Sequence, residues 1–193
     1  VTALTLSPLF VVTGAFERED DFERRLRRAL SAGAGLVQLR VPGADARRLI
    51  ELGAVAAPIV RTEAARLVVN ARPADWPILS ESGLFDGLHL AAGHAAACDQ
   101  RPVATSELLG VSCHDATELA RAGAIGADYA VLGSVMQTAS HPGGATLGWA
   151  RFEALVAPCR LPVYAIGGMV EADLSRAWER GGHGIAAIGS LWS

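Results

Sequence analysis

The chain has 193 residues, with 17 basic side chains against 20 acidic ones, 51% hydrophobic and 19% charged residues, 21 glycines and 9 prolines. That length suits one large domain able to bury a substantial core, and the composition excludes a disordered, collagenous or stapled mini-protein. A net charge of −3 offers no basic field to nucleic acid or to an anionic membrane.

In chain order, the apolar run Leu9–Val12 predicts a first strand. A helix over Asp20–Ala32 follows, with Phe22, Leu26 and Leu30 at i, i+4 and i+8 opposite a charged side. Leu36–Leu39, Leu67–Val69 and Gly87–Leu90 predict the next three strands. Two connections look abbreviated: Pro73–Ser82, which carries a second proline, and Ala91–Glu107, whose helical period is weak. Leu109–Ser112, Tyr129–Leu132, Val163–Ile166 and Ile185–Ile188 bring the strands to eight. Helices are expected over Ala116–Ala124, Trp149–Val156 and Glu171–Arg180, the last entered through acidic residues that suit a helix N-terminus. Runs apolar nearly throughout belong to parallel strands buried on both faces. Eight of them alternating with helices predict a single-domain (β/α)8 TIM barrel over residues 1–193 with an abbreviated final helix, since only Gly189–Ser193 follows the last strand. A flavodoxin-like open sheet would leave strands over.

All 17 basic side chains are arginine, so every Schiff-base mechanism is excluded, because only a lysine amine forms that imine. Three cysteines build no disulfide framework and suit a reducing cytosol. No apolar run approaches the ~20 residues of a membrane span. The start, Val1 to Val12, lacks the basic region of a signal peptide, and a cytoplasmic location is expected. The oligomeric state stays open, a homo-oligomer included.

Barrel chemistry sits at the C-terminal ends of the strands. There the sequence places Gln38 and Arg40, Asn70 and Arg72, Ser112, Cys113 and His114, a loop with Gln137, Thr138, Ser140 and His141, then Gly167, Gly168 and Met169, and finally Gly189 and Ser190. Gln38 and Arg40, like Ser112 and His114, are two apart and point the same way. The glycines after the seventh and eighth strands suit a phosphate, whose oxygens take backbone amides that glycine lets come close. His114 is a candidate acid/base. His89 reads as a core or cavity-wall residue, and His183 belongs to the opposite end. A zinc site from His94, Cys113 and His114 lacks ligand spacing. Magnesium lacks paired carboxylates, Asp99 and Asp115 being the nearest in sequence. No metal is expected.

Val37-Gln38-Leu39-Arg40, Val68-Val69-Asn70, Asp86-Gly87-Leu88-His89-Leu90, Gly110-Val111-Ser112-Cys113-His114, Ala127-Asp128-Tyr129, Gly167-Gly168-Met169 and Gly184-Ile185-Ala186 together resemble the thiamine phosphate synthase/TenI family. The likeness implies a (β/α)8 barrel of thiamine biosynthesis. Ser112–Leu119, Ala139–Gly143, Gly148–Phe152 and Leu191-Trp192 further resemble the TenI-like domain fused to Nudix hydrolases, which implies a Nudix hydrolase domain as partner. Synthases of the family join a pyrimidine diphosphate to a thiazole phosphate with magnesium. Their Gln-x-Arg-x-Lys motif falls on Gln38, Arg40 and Pro42, their two magnesium-binding aspartates on Ala71 and His94, and their Thr-x-Thr-Lys loop on Thr138, Ser140 and His141. Their phosphate-binding positions match Gly167, Gly168, Ile188 and Gly189, and Ser112 matches too. The selective loss favours one phosphate ligand over a diphosphate with metal. TenI-type thiazole tautomerases instead move a proton with a histidine at the position of His114. The expectation is therefore a TenI-like barrel acting on or binding a thiazole phosphate. The alternatives are a thiamine phosphate synthase, with magnesium, and a non-catalytic ligand sensor.

Overall fold

A computed structural model of the chain describes residues 6–138 and 144–192. Ser140, His141 and the Ala139–Gly143 motif lie outside the described residues. Eight strands, β1 (Leu9–Val12), β2 (Leu36–Leu39), β3 (Arg66–Asn70), β4 (Gly87–Leu90), β5 (Leu108–Cys113), β6 (Tyr129–Gly133), β7 (Val163–Ile166) and β8 (Gly184–Ala187), pair in chain order. All eight pairings are parallel, and Leu9 opposite Ile185 in the β1–β8 pairing closes the barrel. The (β/α)8 expectation holds, with β8 starting one residue earlier than the apolar run suggests.

The intervening helices are α1 (Glu19–Ser31), α2 (Ala46–Thr62), α3 (Trp76–Glu81), α4 (Ala92–Ala96), α5 (Ala116–Ala124), α6 (Gly148–Val156) and α7 (Leu174–Glu179). The two abbreviated connections are short: a 3-10 turn, Pro73–Asp75, leads into α3, and α4 has five residues. The helix expected over Glu171–Arg180 divides into a 3-10 turn, Glu171–Asp173, and α7. The longest helix, α2, is the one that periodicity did not single out. Its buried face mixes the small residues Gly53, Ala56 and Ala57 with Leu49, Leu52, Ile59 and Val60, and it carries Pro58 inside. Gly53 is in place because a Cβ there would come within 2.5 Å of the Phe85 ring.

Burial splits into two cores. One lies between strands and helices; the other fills the barrel and holds Phe10, Val12, Leu36, Val68, Leu108, Tyr129, Val131, Tyr164 and Ala186. The strand period of two divides each strand between them. Phe10 meets Tyr129 and Tyr164 edge-on at centroid distances of 5.6 and 5.3 Å. After β8, Trp192 packs on Phe22 of α1 at 5.3 Å. Its indole N–H donates to the Ala15 carbonyl (3.2 Å), and the Trp192 carbonyl accepts from the Arg25 guanidinium (2.9 Å). Among the described residues no helix is long and apolar enough to cross a membrane.

Candidate functional site

The strand exits converge on a chamber of about 630 Å³, lined by Gln38, Arg40, Asn70, Ser112, His114, Thr138, Gly167 and Ile188 among others. A side pocket of about 50 Å³ adjoins it, sharing Thr138, Ile166, Gly167 and Ile188 and adding Gly168 and Met169. Of the residues singled out from the sequence, Gly189 lines neither cavity. It sits one position beyond Ile188, and a Cβ there would meet nothing within 4 Å.

Arg40 is placed by Thr13, whose hydroxyl accepts from the Arg40 amide (2.8 Å) and donates to its carbonyl (2.9 Å). No carboxylate pairs with the Arg40 guanidinium among the described residues, and none lines the chamber. Gln38 is 4% exposed, faces the chamber, and its amide has no hydrogen-bond partner among the described residues. Asn70 donates from its amide to the His89 carbonyl (3.2 Å), which ties the third exit to the fourth.

Below the chamber, Gly110 on β5 leaves room for the Tyr129 ring, since a Cβ at 110 would lie 2.1 Å from Tyr129 Cζ. The Tyr129 hydroxyl thereby reaches His89 Nδ1 (3.2 Å), and His89 Nε2 lies 2.9 Å from Ser112 Oγ. Burial pushes the His89 imidazole down to about 3, with the Arg40 charge adding to the effect, so the ring is neutral at physiological pH. His89 is a core residue beneath the chamber, the first of the two placements that its position inside an apolar strand implied. It supports Ser112 from beneath. His183, at the other end, holds the Leu6 carbonyl at 3.0 Å.

His114 follows β5 and is 64% exposed at its side chain. Its backbone amide and its Nδ1 both meet one oxygen of Glu118, at 2.6 and 2.8 Å. A carboxylate only accepts, so Nδ1 carries the hydrogen and Nε2 is the open nitrogen. Glu118 is a neighbour the sequence reading missed. The spacing of four was visible, but His114 precedes α5, where helical pair rules do not apply.

Gly167 and Gly168 have positive φ of 101° and 67°. A Cβ on Gly168 would stand 2.4 Å from the Gln137 carbonyl oxygen and one on Gly167 2.7 Å from Ser134 Cβ. Both glycines are thus required for the close packing of the seventh exit on the sixth, where the Met136 amide donates to the Gly167 carbonyl (3.1 Å). This packing is a second physical cause for a pair that the sequence reading tied to phosphate alone. Ser190 then links the eighth exit to the seventh through the Met169 carbonyl (2.7 Å).

Cys113 is buried, its thiol pushed up to about 12 by burial, and no cluster of three or more His, Cys, Asp or Glu suited to a metal occurs among the described residues. Asp75 is held by Arg72 in a two-pronged ion pair (2.8 and 2.9 Å), and Asp115 caps α5 by accepting from the Glu118 amide (2.9 Å). The described lining therefore does not fit a magnesium ion, which takes oxygen ligands and commonly carboxylates.

A closed parallel barrel with its polar chamber at the C-terminal strand ends defines a (β/α)8 protein of the ligand-handling type. The chain belongs to the thiamine monophosphate synthase/TenI family, whose profile matches residues 9–191. It is 34% identical over 165 residues to a putative thiamine-phosphate synthase of Geobacter sulfurreducens, covering 84% of this chain and 76% of that one. It is 35% identical over 167 residues to a thiamine-phosphate synthase of Chromobacterium violaceum, covering 85% and 78%. Among solved structures, a thiamine phosphate pyrophosphorylase from Pyrococcus furiosus superposes with a TM-score of 0.74 at 25% identity, covering 96% of this chain and 87% of that one.

Proposed function

We propose that this barrel binds a thiazole phosphate in the TenI manner and moves a proton on it with His114 as acid/base. The observation that carries the reading is the pair at the second exit: Gln38, whose amide opens onto the chamber with no hydrogen-bond partner among the described residues, beside an Arg40 guanidinium that no described carboxylate pairs. Both groups are free to bond the polar and anionic groups of a ligand, each charge-assisted hydrogen bond contributing ~1.5–3 kcal/mol. The side pocket between the seventh and eighth exits suits a single phosphate, with the Gly167 and Gly168 amides as donors and Thr138 in the same wall, while Gly189, expected in the same role, stands one residue outside it. Ser140, assigned to the same group, lies outside the described residues. Asn70 and Ser112 flank the ring.

Proton transfer needs no metal. His114 Nε2 takes a proton from one ring position and returns it at another, leaving atoms and charge unchanged overall. We propose that no metal takes part. The relatives named thiamine-phosphate synthases favour a second reading, in which the chamber also takes a pyrimidine diphosphate with magnesium. That reading needs Arg40 and Arg72 in place of lysines and a magnesium site that the described lining does not offer. Two finer placements belong to the same proposal. A cytoplasmic setting follows from the cysteine usage. A Nudix hydrolase domain as partner follows from Ser112–Leu119, Gly148–Phe152 and Leu191-Trp192, and is checked by the copurification of a Nudix hydrolase with the full natural chain.

The test follows thiazole isomerisation by NMR, with and without the pyrimidine diphosphate and magnesium. The proposal expects metal-independent isomerisation that falls by ~10²–10⁴-fold in His114→Ala while thiazole phosphate binding persists. Magnesium-dependent diphosphate release would establish the synthase, binding without turnover the sensor, and turnover unchanged in His114→Ala would remove the role given to that residue.

A further inference from the structure

We infer that Glu118 is a positioning residue for His114: it fixes the hydrogen on Nδ1 and presents the Nε2 lone pair to the chamber. The inference rests on the proton-transfer reading above and adds to it the group that sets the working tautomer. His114 lines the chamber, whereas Glu118 does not. Glu118 lies behind it, in the wall of a neighbouring cavity of about 340 Å³ that also includes Ala92 and Arg121. It therefore acts through His114 rather than on the ligand.

A plain helix cap does not account for the geometry. In a capping box, the carboxylate at the third helical position reaches back to the backbone amide of the cap residue itself. Asp115 is the cap of α5 and already accepts from the Glu118 amide at 2.9 Å. The Glu118 carboxylate instead passes over Asp115 to His114, one residue before the cap. A single oxygen, Oε2, takes both the His114 amide (2.6 Å) and Nδ1 (2.8 Å). Two bonds to one atom fix the backbone and the ring together, so the ring cannot turn over without losing a charge-assisted bond. The carboxylate is also undivided. Arg121, one turn further along α5, directs its guanidinium to the Ala95 carbonyl (3.2 Å) and the Cys98 carbonyl, and His114 is the ion-pair partner of Glu118 among the described residues. A histidine whose second nitrogen is held by a carboxylate has its tautomer and its ring orientation chosen.

The test reads the tautomer directly. ¹⁵N-edited NMR of the His114 ring at about pH 9, where an ordinary imidazole is neutral, is expected to show the hydrogen on Nδ1 in the wild type. Glu118→Ala is expected to move it to Nε2 or to a mixture. Glu118→Gln, whose amide oxygen still accepts both bonds, is expected to keep it on Nδ1. In turnover, Glu118→Ala lowers kcat by at least about 10-fold, less than the ~10²–10⁴ of removing the histidine, with KM nearly unchanged, and Glu118→Gln restores most of it. A mere cap would lower thermal stability and leave tautomer and kcat alone. Hydrogen on Nε2 in the wild type, or a tautomer unmoved in a folded Glu118→Ala protein, would overturn the inference. Absence of turnover in the wild type would instead sink the proton-transfer reading and leave the NMR result as it stands.

Discussion

The two ends of the barrel interior treat their polar groups in opposite ways. At the N-terminal end Tyr164 and His183 find protein: the Tyr164 hydroxyl donates to the Ser7 carbonyl (2.6 Å) and His183 to the Leu6 carbonyl (3.0 Å), with the two rings in edge contact. At the mouth, Gln38 and Arg40 face a chamber with no partners among the described residues for their polar heads. Between the two lies the Tyr129–His89–Ser112 chain, satisfied from below and open from above at Ser112. Buried polar groups are ordinarily paired, because an unpaired one costs about as much as several packing contacts contribute. The closed end therefore serves stability, and the open end forgoes some of it for recognition.

That contrast breaks most forcefully at its floor. Gly110→Ala pushes a methyl group into the Tyr129 ring, and with a closed barrel on both sides it is expected to cost about 3 kcal/mol in urea denaturation. A loss under half of that would mean that the floor is looser than its packing implies.

Next in size is a pH effect at His89. Its folded value lies near 3, below the ordinary histidine range, so the unfolded chain binds a proton that the folded one refuses. The stability this residue contributes is present above about pH 6.5 and is lost as pH falls toward 3, at roughly 1 kcal/mol per pH unit. Urea titrations at pH 7, 5 and 4 should show a shallower decline in His89→Asn than in the wild type. Equal slopes would mean that the ring protonates freely.

The smallest effect has opposite signs at the two levels. Gln38→Met replaces an amide that bonds no described residue by an apolar side chain and is expected to leave the fold unchanged or stabilise it by about 1 kcal/mol or less. The same change should weaken thiazole phosphate binding by about tenfold, roughly 1.4 kcal/mol. A destabilised variant would show that the Gln38 amide is satisfied by protein after all.

The closed end of the molecule was legible because its signal is local. Buried parallel strands read as short apolar runs, and eight of them set the barrel, with boundaries off by one residue at an end of β3, β5, β6 and β8. The α2 helix escaped because alanines, Gly53 and Pro58 blur the contrast between its faces. At the open end, spacing by two correctly put Gln38 with Arg40 and Ser112 with His114 around one chamber. What the residues could not show was contact between exits. The approach of Gly168 to Gln137, the Glu118 hold on His114 and the packing of Trp192 on Phe22 depend on how distant segments meet in space.

The most direct measurement is calorimetric titration of the wild-type protein with a thiazole phosphate and with the same thiazole as its free alcohol, without added metal. Charge-assisted hydrogen bonds contribute ~1.5–3 kcal/mol each, so two such bonds at the mouth predict at least about 100-fold tighter binding of the phosphorylated ligand. Equal affinity for the two, or binding of neither without magnesium and a pyrimidine diphosphate, would contradict a chamber built around a single phosphate.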